Sequence, residues 1–84
     1  MYDARIRDLM TRGYALANKW YFKEFNTNEF DKWIDDCKSL LSCCDPEPNF
    51  PDFPTVSHVE EIVMLLGRMS AKIARGEVEY LGIL

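Results

Sequence analysis

The side chains best suited to chemistry here are one histidine, three cysteines and a group of aspartates, and their spacing decides what they could do together. A Cys–His nucleophile would need Cys43 or Cys44 carried to His58 across a proline-rich stretch, and no local motif marks such a pair. No arginine stands in residues 51–54 to give the Arg–His pair of a helical ribonuclease. Cys37, Cys43, Cys44 and His58 could supply four zinc ligands, but they lack the C-x(2–4)-C element, and adjacent helical cysteines point roughly 100° apart. Cys37 and Cys44, seven residues apart, read instead as small buried apolar residues, which leaves Cys43 as the accessible thiol. Asp31, Asp35 and Asp36 have no glycine at the sixth position of a calcium loop, and the four glycines stand singly, so no phosphate loop exists. The expectation is a protein without catalytic residues, metal or cofactor, in which Asp31, Asp35 and Asp36 form a solvated acidic face and His58 a surface or capping group.

The elements that would position these groups are helical. Over residues 3–23, Ile6, Leu9, Met10, Gly13, Leu16, Ala17 and Trp20 recur at steps of three and four, one face of a helix. Asp3 is its expected N-cap, while Asp8 and the pair Lys19 and Lys23 suit the two ends of the helix dipole. Gly13 costs about 1 kcal/mol against alanine in a helix interior, and its place on the apolar stripe predicts close approach of a second helix. Asn26 with Glu29, or Thr27 alone, caps a second helix over residues 28–44, whose stripe is Phe30, Trp33, Ile34, Cys37, Leu40, Leu41 and Cys44.

Four prolines among residues 46–54 forbid a helix there and predict a loop, anchored by Phe50 and Phe53 across the end of the bundle. Ser57 and Glu60 then form an S-x-x-E capping box ahead of Val59, Ile62, Val63, Leu66, Met69, Ser70 and Ile73, with Met64 and Leu65 widening the stripe. The third helix ends near Arg75 with Gly76 as its left-handed cap, and residues 77–84 form one more helical turn or an extended strap. The fold class expected is all-α: a single domain over residues 1–84, built as a three-helix antiparallel bundle with a Pro-rich loop between helices two and three and a short C-terminal segment.

The balance of charges narrows the partners. At 84 residues, 48% hydrophobic and 29% charged, the chain can bury a core but a small one. A net charge of -4 and a pI near 4.8 argue against duplex nucleic acid and anionic membrane. Residues 24–61 hold ten acidic side chains against Lys32 and Lys38, whereas residues 1–23 are basic. The odd cysteine number, together with an N-terminus that does not read as a secretory leader, predicts a reducing, cytoplasmic setting, and no apolar run is long enough to span a bilayer.

Apolar surface is in excess. Tyr14, Tyr21 and Phe25 lie beside the main stripe of the first helix, and Phe22 and the C-terminal residues add to them. Two readings follow: Tyr14, Tyr21 and Phe25, with Tyr80 and Leu81, form a self-association or partner surface, or they complete a wider core with the C-terminal segment. A separate reading is a small oligomer that sequesters an anionic signalling nucleotide, with Arg5, Arg12, Lys19 or Lys23 on phosphate and Tyr14 or Tyr21 stacking on the base.

The order of features also carries a resemblance. Leu9, Gly13 and Leu16 give L-x(3)-G-x(2)-L; Asn26, Glu29, Phe30 and Trp33 give N-x-x-E-F-x-x-W, followed by Leu40-Leu41; a loop ends in Phe53; Ile73, Gly76, Tyr80 and Leu81 give I-x-x-G-x(3)-Y-L. This pattern resembles the helical module found ahead of effector domains in bacterial anti-phage defence proteins. The family's loop has a glycine, a serine and aromatic residues where this chain has Cys44-Asp45-Pro46-Glu47-Pro48, and no effector domain is expected here. The resemblance therefore implies assembly or sensing, by an interaction module that self-associates and binds another protein.

Overall fold

The computed structural model describes residues 2–80 of the chain, with side chains over residues 4–80. Three helices, α1 (Tyr2–Tyr21), α2 (Thr27–Leu41) and α3 (Val59–Ala74), form an all-α bundle. A single turn of 3₁₀ helix, Val56–His58, precedes α3, and two short strands, β1 (Cys44–Asp45) and β2 (Glu79–Tyr80), pair antiparallel.

The three apolar stripes meet in one core that includes Ile6, Leu9, Leu16, Phe30, Ile34, Leu40, Ile62, Leu66 and Ile73. At its centre Trp33 is fully buried, and its indole N–H donates to the Leu9 carbonyl at 2.8 Å. That bond removes the penalty of sealing a polar group in the interior. Gly13 sits beside it: a Cβ there would lie 2.5 Å from Val63 Cγ2 and 2.7 Å from Trp33 Cζ2. The close approach expected of Gly13 is thus the point at which α1 meets both other helices.

Side-chain pairs fix the directions. Gly13 faces Val63 and Met10 faces Gly67, so α1 and α3 are antiparallel. Arg12 pairs with Asp36 and Lys19 with Glu29, so α1 and α2 are antiparallel too. The bundle is antiparallel about α1, and α2 and α3 share one direction. The chain must therefore return the length of the bundle between them.

The Pro-rich segment makes that return. Pro46, Pro48 and Asn49 flank Leu65, Met69 and Val78, whereas Phe50 and Pro51 flank His58 and Ile62. Nine residues at about 3.1 Å each in extended form reach about 28 Å, enough to run beside a 16-residue helix of about 24 Å. The segment lies along the side of the bundle rather than across its end. Phe50 is half-buried, with Lys38 Nζ 5.8 Å from its ring centroid, but Phe53 is 88% exposed and anchors nothing. The Asp45–Pro46 peptide is cis.

Caps set the helix ends. Helix α1 stops at Tyr21 because Lys23 adopts φ 62, and the bonds Lys23 N–H to Trp20 O (3.0 Å) and Glu24 N–H to Lys19 O (2.7 Å) close a Schellman turn. Gly76, at φ 77, closes α3 in the same way, as expected of that glycine. The Asn26 side chain caps α2 by accepting from Asn28 and Glu29 N–H at 2.9 and 3.2 Å. Helix α2 ends at Leu41 rather than at Cys44, which pairs in β1.

The capping box proposed for Ser57 and Glu60 is displaced. The Thr55 N–H donates to His58 Nδ1 at 2.9 Å, and the hydroxyls of Thr55 and Ser57 meet at 2.8 Å, which sets the start one turn of 3₁₀ helix earlier. Asp3 falls inside α1, beyond its first residue, so it is not an N-cap; its side chain lies outside those described. Of residues 77–84, Glu79 and Tyr80 are extended and bonded to β1. No described helix is long and apolar enough to cross a membrane.

Candidate functional site

The groups with chemical potential are held apart or occupied. Cys37 is buried in the core, where burial pushes its thiol up to about 12, Asp36 adding to the effect and Arg12 opposing it. Cys44 is buried as well and its thiol is raised, first by burial and then by Cys43 and Glu47. Cys43, half-buried, donates its S–H to the Ser39 carbonyl at 3.4 Å. His58 is engaged by Thr55 in the cap, Asp36 by Arg12 at 2.8 Å, and Asp31 and Asp35 face solvent. Among the described residues no three His, Cys, Asp or Glu side chains come together as a metal site.

What the fold does assemble is an aromatic end. Trp20, expected on the buried stripe, is 56% exposed. The register explains it: with Gly13 level with Val63 and Met10 level with Gly67, Ala17 is level with Val59, the first residue of α3. The last turn of α1 runs past the first residue of α3, level with the single 3₁₀ turn Val56–His58, and Trp20 is left largely exposed there. Tyr21 and Phe22 follow at 77% and 63% exposure, their rings edge to face at 5.2 Å.

Phe25 lies in the connection after α1 rather than on that helix. Its ring packs edge-on to Trp20 at 5.6 Å and tilted on Phe30 at 5.5 Å, which ties the cluster to the core. Trp20, Tyr21, Lys23 and Phe25 border an open, mainly apolar groove of about 650 Å³. Phe53, 88% exposed, stands on a bend two residues before the Thr55–His58 cap of α3. Spacing alone could not find this surface, because α1 shows one continuous stripe through Trp20 and only the length of α3 decides where its cover stops.

The proposed interface set is divided. Tyr14, 60% exposed, lies two helical turns before Tyr21, and Phe25 is half in the core. Tyr80 is at the opposite end, where its hydroxyl accepts from Arg5 at 3.3 Å, and Leu81 lies outside the described residues. Met64 is exposed rather than part of the core, whereas Leu65 packs against it.

The cationic set is divided too. Arg5 and Arg12 border a groove of about 430 Å³ between α1 and α2, with Asp8 and Asp36 on the same walls. Lys19 is bound to both carboxylate oxygens of Glu29 at 2.6 and 2.9 Å, roughly 20 Å along the helix from Arg5, and Lys23 lies on the aromatic groove. Compared with family models, with curated proteins and with solved structures, the chain gives no match in any of the three.

Proposed function

We propose that this chain is a non-enzymatic helical interaction module that self-associates and docks another protein through the aromatic end of its bundle. The observation that supports it is the last turn of α1, which runs past the first residue of α3 and leaves Trp20, Tyr21 and Phe22 exposed beside an apolar groove on a domain whose core is complete without them. Large, stiff aromatic rings lose little entropy on binding and are the usual anchors of interfaces. A cytoplasmic place, in conflict between bacterium and phage, is the setting we attach to this reading; it rests on the free thiols and on the sequence resemblance alone.

The test is solution mass by light scattering, with reductant and over a range of concentrations, for the wild type and Tyr21→Ala. Tyr21 is 77% exposed and its ring packs on Phe22, itself exposed, so its removal should lower association and leave the circular dichroism unchanged. An unchanged mass, with unchanged capture of any partner, refutes the reading.

A second reading, sequestration of an anionic nucleotide, is favoured by one observation, the shared groove of Arg5 and Arg12. A nucleotide at about 100 times its dissociation constant adds about 2.7 kcal/mol to stability. The absence of a thermal shift across a nucleotide panel would remove that reading.

A further inference from the structure

The outer face of α1 differs from that of α2. Helix α1 meets α3 through Met10 and Gly13 and meets α2 through Arg12 and Lys19, and the helical period turns a third band away from both neighbours. From Thr11 onward that band is Thr11, Tyr14, Ala15, Asn18, Tyr21 and Phe22, all exposed and none charged. Phe22 continues it because its N–H still donates to the Asn18 carbonyl at 3.1 Å. The exposed side of α2 presents Asp31, Lys32, Asp35 and Lys38 instead. Enrichment in aromatic residues with loss of Lys, Asp and Glu is the compositional mark of an interface core, not of a solvated face.

The band is also symmetric along its length. Arg7, Tyr14 and Tyr21 stand seven residues apart, close to two helical turns, so they line one edge with Tyr14 midway. A twofold axis passing beside Tyr14 lays a second α1 antiparallel to the first and keeps like edges together. Arg7 then meets Tyr21 of the second copy, the two Tyr14 rings meet each other, and Thr11 comes level with Asn18. Ala15, small and near the axis, lets the helices approach closely.

The polar groups suit this register. The Arg7 guanidinium and the Asn18 amide have no hydrogen bond or ion pair among the described residues. A guanidinium over a tyrosine ring is attractive. The Thr11 hydroxyl gives its proton to the Arg7 carbonyl at 3.0 Å and keeps its lone pairs for the Asn18 amide of the second copy. The exposed parts of Tyr14, Tyr21 and Phe22 come to roughly 400 Å² per copy at about 200 Å² a ring. With Arg7, Thr11, Ala15 and Asn18 added, a pair covers on the order of 1,000 Å², the lower bound for a specific interface, and suits a dimer of micromolar strength or weaker.

We infer that the chain forms a twofold dimer by antiparallel packing of α1 on α1 about Tyr14, with Arg7 of each copy against Tyr21 of the other. This inference rests on the reading of the exposed rings as an interaction surface; it adds the second copy and the register, and leaves the groove of Trp20 and Phe25 to another protein.

Sedimentation equilibrium up to about 1 mM protein tests it, on the wild type, Ala15→Arg, Trp20→Ala, Arg7→Ala, Tyr21→Ala and the Arg7→Ala/Tyr21→Ala pair. The wild type should dimerise. Ala15→Arg sets two like charges at the axis from a position that faces solvent in the monomer, so it should raise the dissociation constant at least about 30-fold with the melting curve unchanged. Trp20→Ala, off the band, should leave the dimer as strong. Arg7→Ala and Tyr21→Ala should each weaken it, and the pair should lose less than the product of the two, because they remove one contact. Losses that multiply independently overturn the register. A dimer that survives Ala15→Arg but is lost with Trp20→Ala overturns the α1 contact while leaving the aromatic end standing as the interface. A mass that grows beyond two copies overturns the closed pair. A monomer at every concentration overturns the inference, and partner capture by Tyr21→Ala then decides the broader reading separately.

Discussion

Replacing Gly13 by alanine should destabilise this protein even though alanine is the better helix former. The added methyl would sit 2.5 Å from Val63 Cγ2 and 2.7 Å from Trp33 Cζ2, about 1 Å inside the ordinary carbon–carbon contact of about 3.5–4.0 Å. Neither neighbour is free to yield: both are buried, and the Trp33 indole is held by the Leu9 carbonyl. Overpacking of this kind costs about 1–3 kcal/mol, and rigid walls on two sides place it near the upper value. The propensity gain offsets about 1 kcal/mol, which leaves a net loss of about 2 kcal/mol and a Tm lower by about 10 °C for a domain of this size.

Gly67 supplies the opposite sign within the same molecule. A Cβ there meets only the flexible end of Met10 at 3.5 Å, so Gly67→Ala should gain up to about 1 kcal/mol. Urea and thermal denaturation followed by circular dichroism measure both variants. Trimming Val63 to alanine should partly rescue Gly13→Ala, a favourable coupling in a double-mutant cycle. If Gly13→Ala is as stable as the wild type, α1 does not cross α2 and α3 at this glycine and the register drawn from it is wrong.

The remaining predictions concern the thiols and the caps. Alkylation of the folded protein should label Cys43 first, and Cys37 only at the rate of unfolding, which mass spectrometry resolves by peptide. Burial raises the Cys37 thiol from 9.0 to about 12 in the fold, so the unfolded chain ionises first. The associated stability is whole below about pH 9 and falls above it by up to about 1.4 kcal/mol per pH unit, and Cys37→Ala should flatten that slope in alkaline urea titrations. Asn26→Ala should cost about 1 kcal/mol by uncapping α2, whereas Lys23→Gly should stabilise by roughly 0.5–1 kcal/mol by relieving the left-handed backbone; equal melting curves would contradict both assignments.

The helices were legible because each buries one stripe, and the 3.6-residue period survives in Trp33, Cys37 and Leu40 as clearly as in Ile62, Leu66 and Ile73. Gly13 was legible for a similar reason, since a glycine on an apolar stripe has few other uses. Direction was not. Nothing local tells whether a proline-rich segment turns at once or runs the length of a helix, and that choice places Phe53 in solvent instead of over the core. Trp20 misled for a related reason: periodicity reports which face a residue is on, not how far along that face a neighbour extends. The pairing of Cys44 with Tyr80 joins the segment after α2 to the segment after α3, 36 residues apart, and so had no signal in either segment.

The facing of Gly13 and Val63 also has a meaning in time. Fifty residues separate the two sides of that contact, and at about 5–20 residues per second a ribosome takes roughly 3–10 s to make them. During that interval α1 has its stripe of Ile6, Leu9 and Leu16 without α3 to cover it, and the exposed rings of Trp20 and Tyr21 lie just beyond. A nascent chain of this protein therefore shows more apolar surface than the finished domain.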